Sequence, residues 1–207
     1  SMTEHMTPIP FKHLIKWVLA EYTQNETIFN IPRQAFFRPA KHSVFSTEIF
    51  GQNLQTPIGP AAGPHTQLAQ NIISAWLTGA RFIELKTVQI MDELDIPRPC
   101  IDMTDEGYNV EWSQELKLKQ SVTEYIHAWV LIHVIRRLLD LEETPFGTIF
   151  NMSVGYDYKG ILSDPMQNFI SKMRNAGDEI ERIRDYLKVV HPGFADLDIP
   201  HEISNNV

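Results

Sequence analysis

The sequence predicts an α/β fold with parallel strands, and three observations carry that prediction. Two short apolar runs, Arg81 to Val88 and Thr148 to Val154, have strand length and composition. A long amphipathic segment, Trp112 to Leu141, lies between them. A shorter helical segment, Gln67 to Leu77, precedes the first run and stops at Gly79. Strands that alternate with helices form βαβ units, and the ligands of such sheets gather at the carboxyl ends of the strands.

The elements follow in order. Phe11, Leu14, Ile15, Trp17, Val18, Leu19 and Tyr22 repeat with a helical period after Pro8 and Pro10, so Pro8 to Tyr22 is expected to be a short amphipathic helix. Residues 23 to 42 show no clear period and read as an irregular arm packed through Phe29, Phe36 and Phe37. Ser43 to Phe50 and Gly51 to Thr56 form a strand, turn, strand pattern that leads into Pro57 and Ile58, the expected first barrel-type strand. Residues 89 to 111 carry Pro97, Pro99 and Gly107 and read as a long loop of the functional kind. Ser113 is a fitting N-cap for the long helix, which is one bent helix or two. Met166 to Val190 is a last helical region with a break expected near Gly177, and the tail from His191 is expected to be extended and weakly ordered at its end. The expected division is 1–55, an N-terminal helix, arm and hairpin, and 56–207, the barrel part.

Composition excludes several function classes. With 18 Lys+Arg against 26 Asp+Glu, the net charge of −8 repels a polyphosphate backbone. The densest basic pair, Arg136-Arg137, reads as a solvated helix face, so no nucleic acid partner is expected. Cys100 is the single cysteine, which rules out an internal disulfide and a cysteine metal cluster. No histidine spacing resembles a metal motif, and no apolar run approaches the roughly 20 residues of a membrane helix. A cytoplasmic protein without a membrane partner is the expectation.

The chemistry-bearing residues cluster at strand ends. Gly59, Ala61, Ala62 and Gly63 follow the first strand, where small residues admit a flat cofactor or serve close packing of strand and helix. Lys86 stands on an otherwise apolar strand, where an unpaired buried ammonium is costly. Glu84, two residues away on the same face, is its structural partner in one reading; in the other, Lys86 stabilises negative charge on a reduced cofactor. Thr87 follows it. Asn151 interrupts the last strand despite its poor β-propensity, which calls for a specific hydrogen bond. Asn109, just before the long helix, reads on its own as a turn or cap residue, and His65 is a proton donor, a ligand contact or neither.

Pro57 to Gly63, Glu84-Leu-Lys-Thr-Val88, Arg98-Pro99 with Tyr108-Asn-Val110, and Phe150-Asn-Met-Ser-Val154 resemble, in order, the early barrel segments of dihydroorotate and dihydropyrimidine dehydrogenases. Gly59 to Asn71 and Ile149 to Gly155 are similar to the YgfK-like family, to which a selenate reductase role has been attached, and that likeness runs over nearly the whole chain. The resemblance implies a partial (β/α)8 TIM barrel, its first three strands with their helices, in an FMN-dependent oxidoreductase. It further implies a small-molecule substrate and redox modules of the same parent chain, with iron-sulfur and pyridine-nucleotide/FAD centres. By position, Ala61, Ala62 and Gly63 would line the flavin, Lys86 and Thr87 contact it, Asn151 hydrogen-bond to it, and Asn109 and His65 face the substrate. Thr66 stands where many dihydroorotate dehydrogenases carry a substrate-binding lysine, so orotate is not implied. Closure of a barrel needs eight strands, and the family's catalytic acid/base follows the fourth. A fragment inactive alone is therefore expected, either part of a longer chain or a piece that forms a homo-oligomer through its open sheet edge. The alternative is a non-catalytic assembly or docking module of a multi-domain redox protein.

Overall fold

A computed structural model describes residues 8–39, 47–49, 51–56, 58–59, 67–87, 118–154 and 158–207. Helix α1, Phe11–Asn25, starts after Pro10, whose carbonyl accepts the amides of His13 and Leu14. It buries Phe11, Leu14, Ile15 and Val18, the i, i+3, i+4, i+7 stripe expected of it. The arm that follows is more regular than its sequence suggests. Strands β1, Thr27–Ile28, and β2, Ile31–Pro32, pair antiparallel around Phe29 and Asn30, both at positive φ, in a tight two-residue hairpin. The Asn30 amide donates to Glu21 Oε1 at 3.0 Å, which ties the turn to α1. Phe36 is buried, Phe29 lies edge-on against Trp17, and the Phe37 amide donates to the Leu77 carbonyl, so all three phenylalanines pack on the body as expected.

The next hairpin, β3, Thr47–Ile49, with β4, Gln52–Leu54, matches its predicted place. After it, the Ile58 carbonyl accepts the amides of Arg81 and Phe82, so the chain runs beside the start of the next strand. Gly59 is required there, because a Cβ would come within 2.3 Å of the Phe82 carbonyl oxygen. The close approach at this glycine is to the backbone of a neighbouring strand residue, not the strand-to-helix packing expected from the sequence.

Helix α2, Ala69–Leu77, leads to β5, Phe82–Lys86; helix α3, Leu118–Leu138, then crosses to β6, Ile149–Ser153. β5 and β6 pair in parallel, with Phe82 opposite Ile149 and Lys86 opposite Ser153. The long helix is a single element over its described length, ends earlier than Leu141, and its expected cap Ser113 lies outside the described residues. Ile83 and Leu85 of β5, Phe150 and Met152 of β6, and most of α3 form one core with α2. A short helix α4, Tyr158–Ile161, precedes α5, Asp164–Arg174, and α6, Gly177–Val190, which break where Gly177 predicts.

Two expectations are corrected. The tail is docked to its end: Leu197, Ile199 and Ile203 are buried, and the Trp129 indole donates to the Pro200 carbonyl at 2.8 Å. The Met152 amide donates to the Asn206 carbonyl, placing the tail along the second edge of β6. Scattered apolar residues without a period found a groove that only the folded helices create. Arg136 and Arg137 are likewise not a solvated face. Arg136 donates to the Leu141 and Thr144 carbonyls, which closes the end of α3. Arg137 pairs with Glu142 at 2.8 Å and with Asp196 at 2.5 Å, clamping the tail. Among the described residues no helix is long and apolar enough to cross a membrane.

Candidate functional site

Residues of β5 alternate between the helix-side core and the opposite face. Ile83 and Leu85 are fully buried against the helices, which leaves Glu84 and Lys86 half-buried on the other face. β6 repeats the pattern: Phe150 and Met152 go into the core, and Asn151 and Ser153 share the face of Glu84 and Lys86. The parallel register sets Glu84 opposite Asn151 and Lys86 opposite Ser153. A polar patch thus forms toward the carboxyl ends of both strands, on the side away from the helices.

The Asn151 amide is the informative group. Its Oδ1 is buried and has no hydrogen-bond partner among the described residues. A buried acceptor of this kind is costly unless something donates to it. Lys86 forms no ion pair among the described residues, so the Glu84–Lys86 bridge of the structural reading is not made in this structure. The Lys86 main-chain carbonyl accepts the Tyr125 hydroxyl at 2.6 Å, which fixes the end of β5 against α3. Burial pushes the Tyr125 phenol far above its ordinary range and keeps it a donor. Thr87 is buried, and its amide and hydroxyl both donate to the Ser153 carbonyl at 3.1 Å. Its side chain is therefore already committed to joining the two strand ends. Ala61, Ala62, Gly63, His65 and Asn109 lie outside the described residues.

Sequence reasoning missed the groups that hold the site from below and behind. Arg81, 1% exposed, lies between the rings of Trp76 and Phe37. It donates through Nε to Gln55 Oε1 at 2.9 Å and through Nη1 to the Trp76 and Ala80 carbonyls. Burial, with a smaller push from Arg136, brings its guanidinium down to about 9, still charged at neutral pH. Gln55 also donates to the Pro145 carbonyl, so the second hairpin is locked across the amino ends of β5 and β6. Glu124, nearly inaccessible, accepts the Ala69 amide at 3.2 Å and steadies the start of α2. A polar residue inside the long apolar helix was the available signal. Among the described residues no group of three or more His, Cys, Asp or Glu side chains could hold a metal ion.

Residues 29–205 match the family described as "Oxidoreductase YgfK, N-terminal TIM-barrel domain". The chain belongs to this YgfK family. It is 50% identical over 194 residues to the "Putative oxidoreductase YgfK" of Escherichia coli strain K12 and, equally, to that of strain O157:H7. That alignment covers 94% of this chain and 17% of each relative, so the chain spans about a sixth of the length of the curated relatives it matches. No solved structure matches it. The YgfK assignment explains the α/β architecture. The described residues close no barrel; β5 and β6 form a parallel pair with helices packed on one face and the polar patch on the other, consistent with part of such a fold.

Proposed function

We propose that the chain supplies one wall of an FMN site in a flavin-dependent oxidoreductase of the dihydropyrimidine dehydrogenase-like type. The observation that carries this reading is the buried Asn151 Oδ1, without a partner among the described residues, on the same face of β5 and β6 as Lys86 and away from the helices. Bound FMN would supply hydride or electron transfer. Asn151 Oδ1 would be the acceptor for an N–H of the cofactor, and the Lys86 ammonium would favour negative charge on it. Thr87 would stand at the strand end beside the cofactor, with its amide and hydroxyl both committed to the Ser153 carbonyl. Ala61, Ala62 and Gly63 line the cofactor, and Asn109 and His65 face a small-molecule substrate. The electrons pass to iron-sulfur and pyridine-nucleotide modules of the longer protein, and this chain alone is inactive. Nothing in these side chains selects selenate.

The test uses the full-length protein, purified without denaturant. Flavin absorbance in the preparation, or uptake of added FMN, is expected. Asn151→Leu and Lys86→Met should each weaken FMN retention by about tenfold, the worth of one buried hydrogen bond or charge. A protein that neither carries nor takes up FMN overturns the reading and supports a non-catalytic assembly module instead.

A further inference from the structure

We infer that Tyr125 is a positioning residue of this site, one that sets the peptide plane at the carboxyl end of β5 and so fixes how Lys86 is presented. The inference rests on the reading above for what Lys86 meets, and on contacts in the structure for what Tyr125 does.

Tyr125 lies within α3 and is fully buried. A phenol so enclosed needs an acceptor for its hydroxyl. It donates to the Lys86 carbonyl at 2.6 Å. The other end of that same peptide unit is the Thr87 amide, which donates to the Ser153 carbonyl at 3.1 Å. In a trans peptide the C=O and the N–H point in opposite directions, so the unit is held from two sides, by α3 and by β6. The peptide unit before it belongs to the β5–β6 ladder. Both planes that meet at the Lys86 Cα are thereby fixed, and with them the direction in which its side chain leaves the strand.

The surroundings make this hold a stiff one. The Tyr125 ring stands edge-on to Phe169 of α5, centroids 6.2 Å apart, and Glu124, its neighbour on α3, accepts the Ala69 amide at the start of α2. A single turn of α3 therefore ties down the end of β5 and the start of α2 together. Removing the hydroxyl alone takes from the Lys86 carbonyl its donor on α3, while the ring keeps its place in the core. The peptide can then tilt, and a tilt swings Lys86 across the face that it shares with Asn151. A hydrogen bond made on the helix side of the sheet should in this way govern affinity on the opposite side.

Two readouts on the full-length protein test the assignment, one of them independent of flavin. Before FMN is added, hydrogen exchange of the Thr87 amide is followed by mass spectrometry of overlapping peptides. In Tyr125→Phe that amide should exchange about tenfold faster relative to those of Ile83 and Leu85, a ratio that removes any global loss of stability. A ratio within about twofold of the parent protein overturns the assignment. FMN affinity of the folded variant should fall about fivefold, and in a Lys86→Met background the same substitution should change it by less than about twofold, because the effect passes through Lys86. No fall, or a fall that persists undiminished in the Lys86→Met background, overturns the assignment. If Tyr125→Phe fails to fold, Phe169→Leu, which loosens the seat of the Tyr125 ring and keeps its hydroxyl, is read in the same two ways against the same limits. A parent protein that takes up no FMN, yet shows faster Thr87 exchange in Tyr125→Phe, overturns the flavin reading and supports the hold of Tyr125 on the strand end.

Discussion

His133 shows how a single side chain makes this core sensitive to acid. Its ring stacks on Phe146 at 5.0 Å and lies edge-on to Trp129, and its Nε2 is buried without a partner among the described residues. Burial, reinforced by Arg136, holds the imidazole down to about 3. In the unfolded chain a histidine titrates near 6.5, so the unfolded state takes up the proton first as pH falls. The stability tied to neutral His133 is complete above about pH 6.5 and declines toward pH 3, by roughly 1 kcal/mol per pH unit. Between about pH 6.5 and pH 4.5 most carboxylates remain ionised, and His191, also lowered by burial and by Lys16, adds a smaller effect of the same sign. His133→Phe should flatten the dependence over this interval. Urea denaturation at about pH 6.5 and pH 5 measures it; an unchanged slope would show that His133 is protonated without unfolding.

Elements are joined at the amino ends of β5 and β6 through Gln55, and Gly147 makes room for it. The Gln55 amide donates to the Gly147 carbonyl at 3.0 Å, and its side chain bridges Pro145 and Arg81. Gly147 has φ +55°, and a Cβ there would come within 2.0 Å of Gln55 Cγ. Gly147→Ala should therefore cost more than about 2 kcal/mol of stability, through backbone strain and displacement of a buried hydrogen-bonding side chain. A loss below about 0.5 kcal/mol in denaturant titration would mean that the hairpin is free to shift. Elements set by periodic patterns, α1, α2, β5 and β6, were legible in the sequence for the reason that one face of each is buried. The β1–β2 hairpin was not, because Phe29 takes a positive φ that only the folded context imposes. The tail was not, because Leu197, Ile199 and Ile203 meet a tertiary groove and follow no period. Arg136 and Arg137 were misread because a cation on a helix end can face water or carbonyls equally well in a sequence. At the site, Lys86 and Asn151 stood out as polar residues in apolar strands, whereas Thr87 could not reveal that its hydroxyl serves the Ser153 backbone.

Across the whole molecule, β5 and β6 divide a helix-packed core from an opposite face that turns polar toward the strands' carboxyl ends, and adjacent residues of one strand should answer to different demands. Met152 is 1% exposed within the core cluster, and its amide holds the Asn206 carbonyl at 3.1 Å. Asn151, next to it, points to the opposite face with Oδ1 unsatisfied among the described residues. Truncating Met152 to alanine opens a cavity that the surrounding helices cannot fill, at a cost of about 2–5 kcal/mol. Truncating Asn151 removes a buried acceptor that no described group satisfies, so stability without ligand should stay within about 1 kcal/mol of the parent. Binding should show the reverse order. Asn151→Ala is expected to lose most FMN retention while it remains folded, and Met152→Ala should keep the affinity of whatever fraction stays native. Thermal unfolding with and without FMN separates the two effects, since a ligand raises the midpoint only of a protein that binds it. Equal stabilisation of Asn151→Ala and the parent by FMN would place the cofactor away from this face. An Asn151→Ala loss as large as that of Met152→Ala would assign the amide to the core.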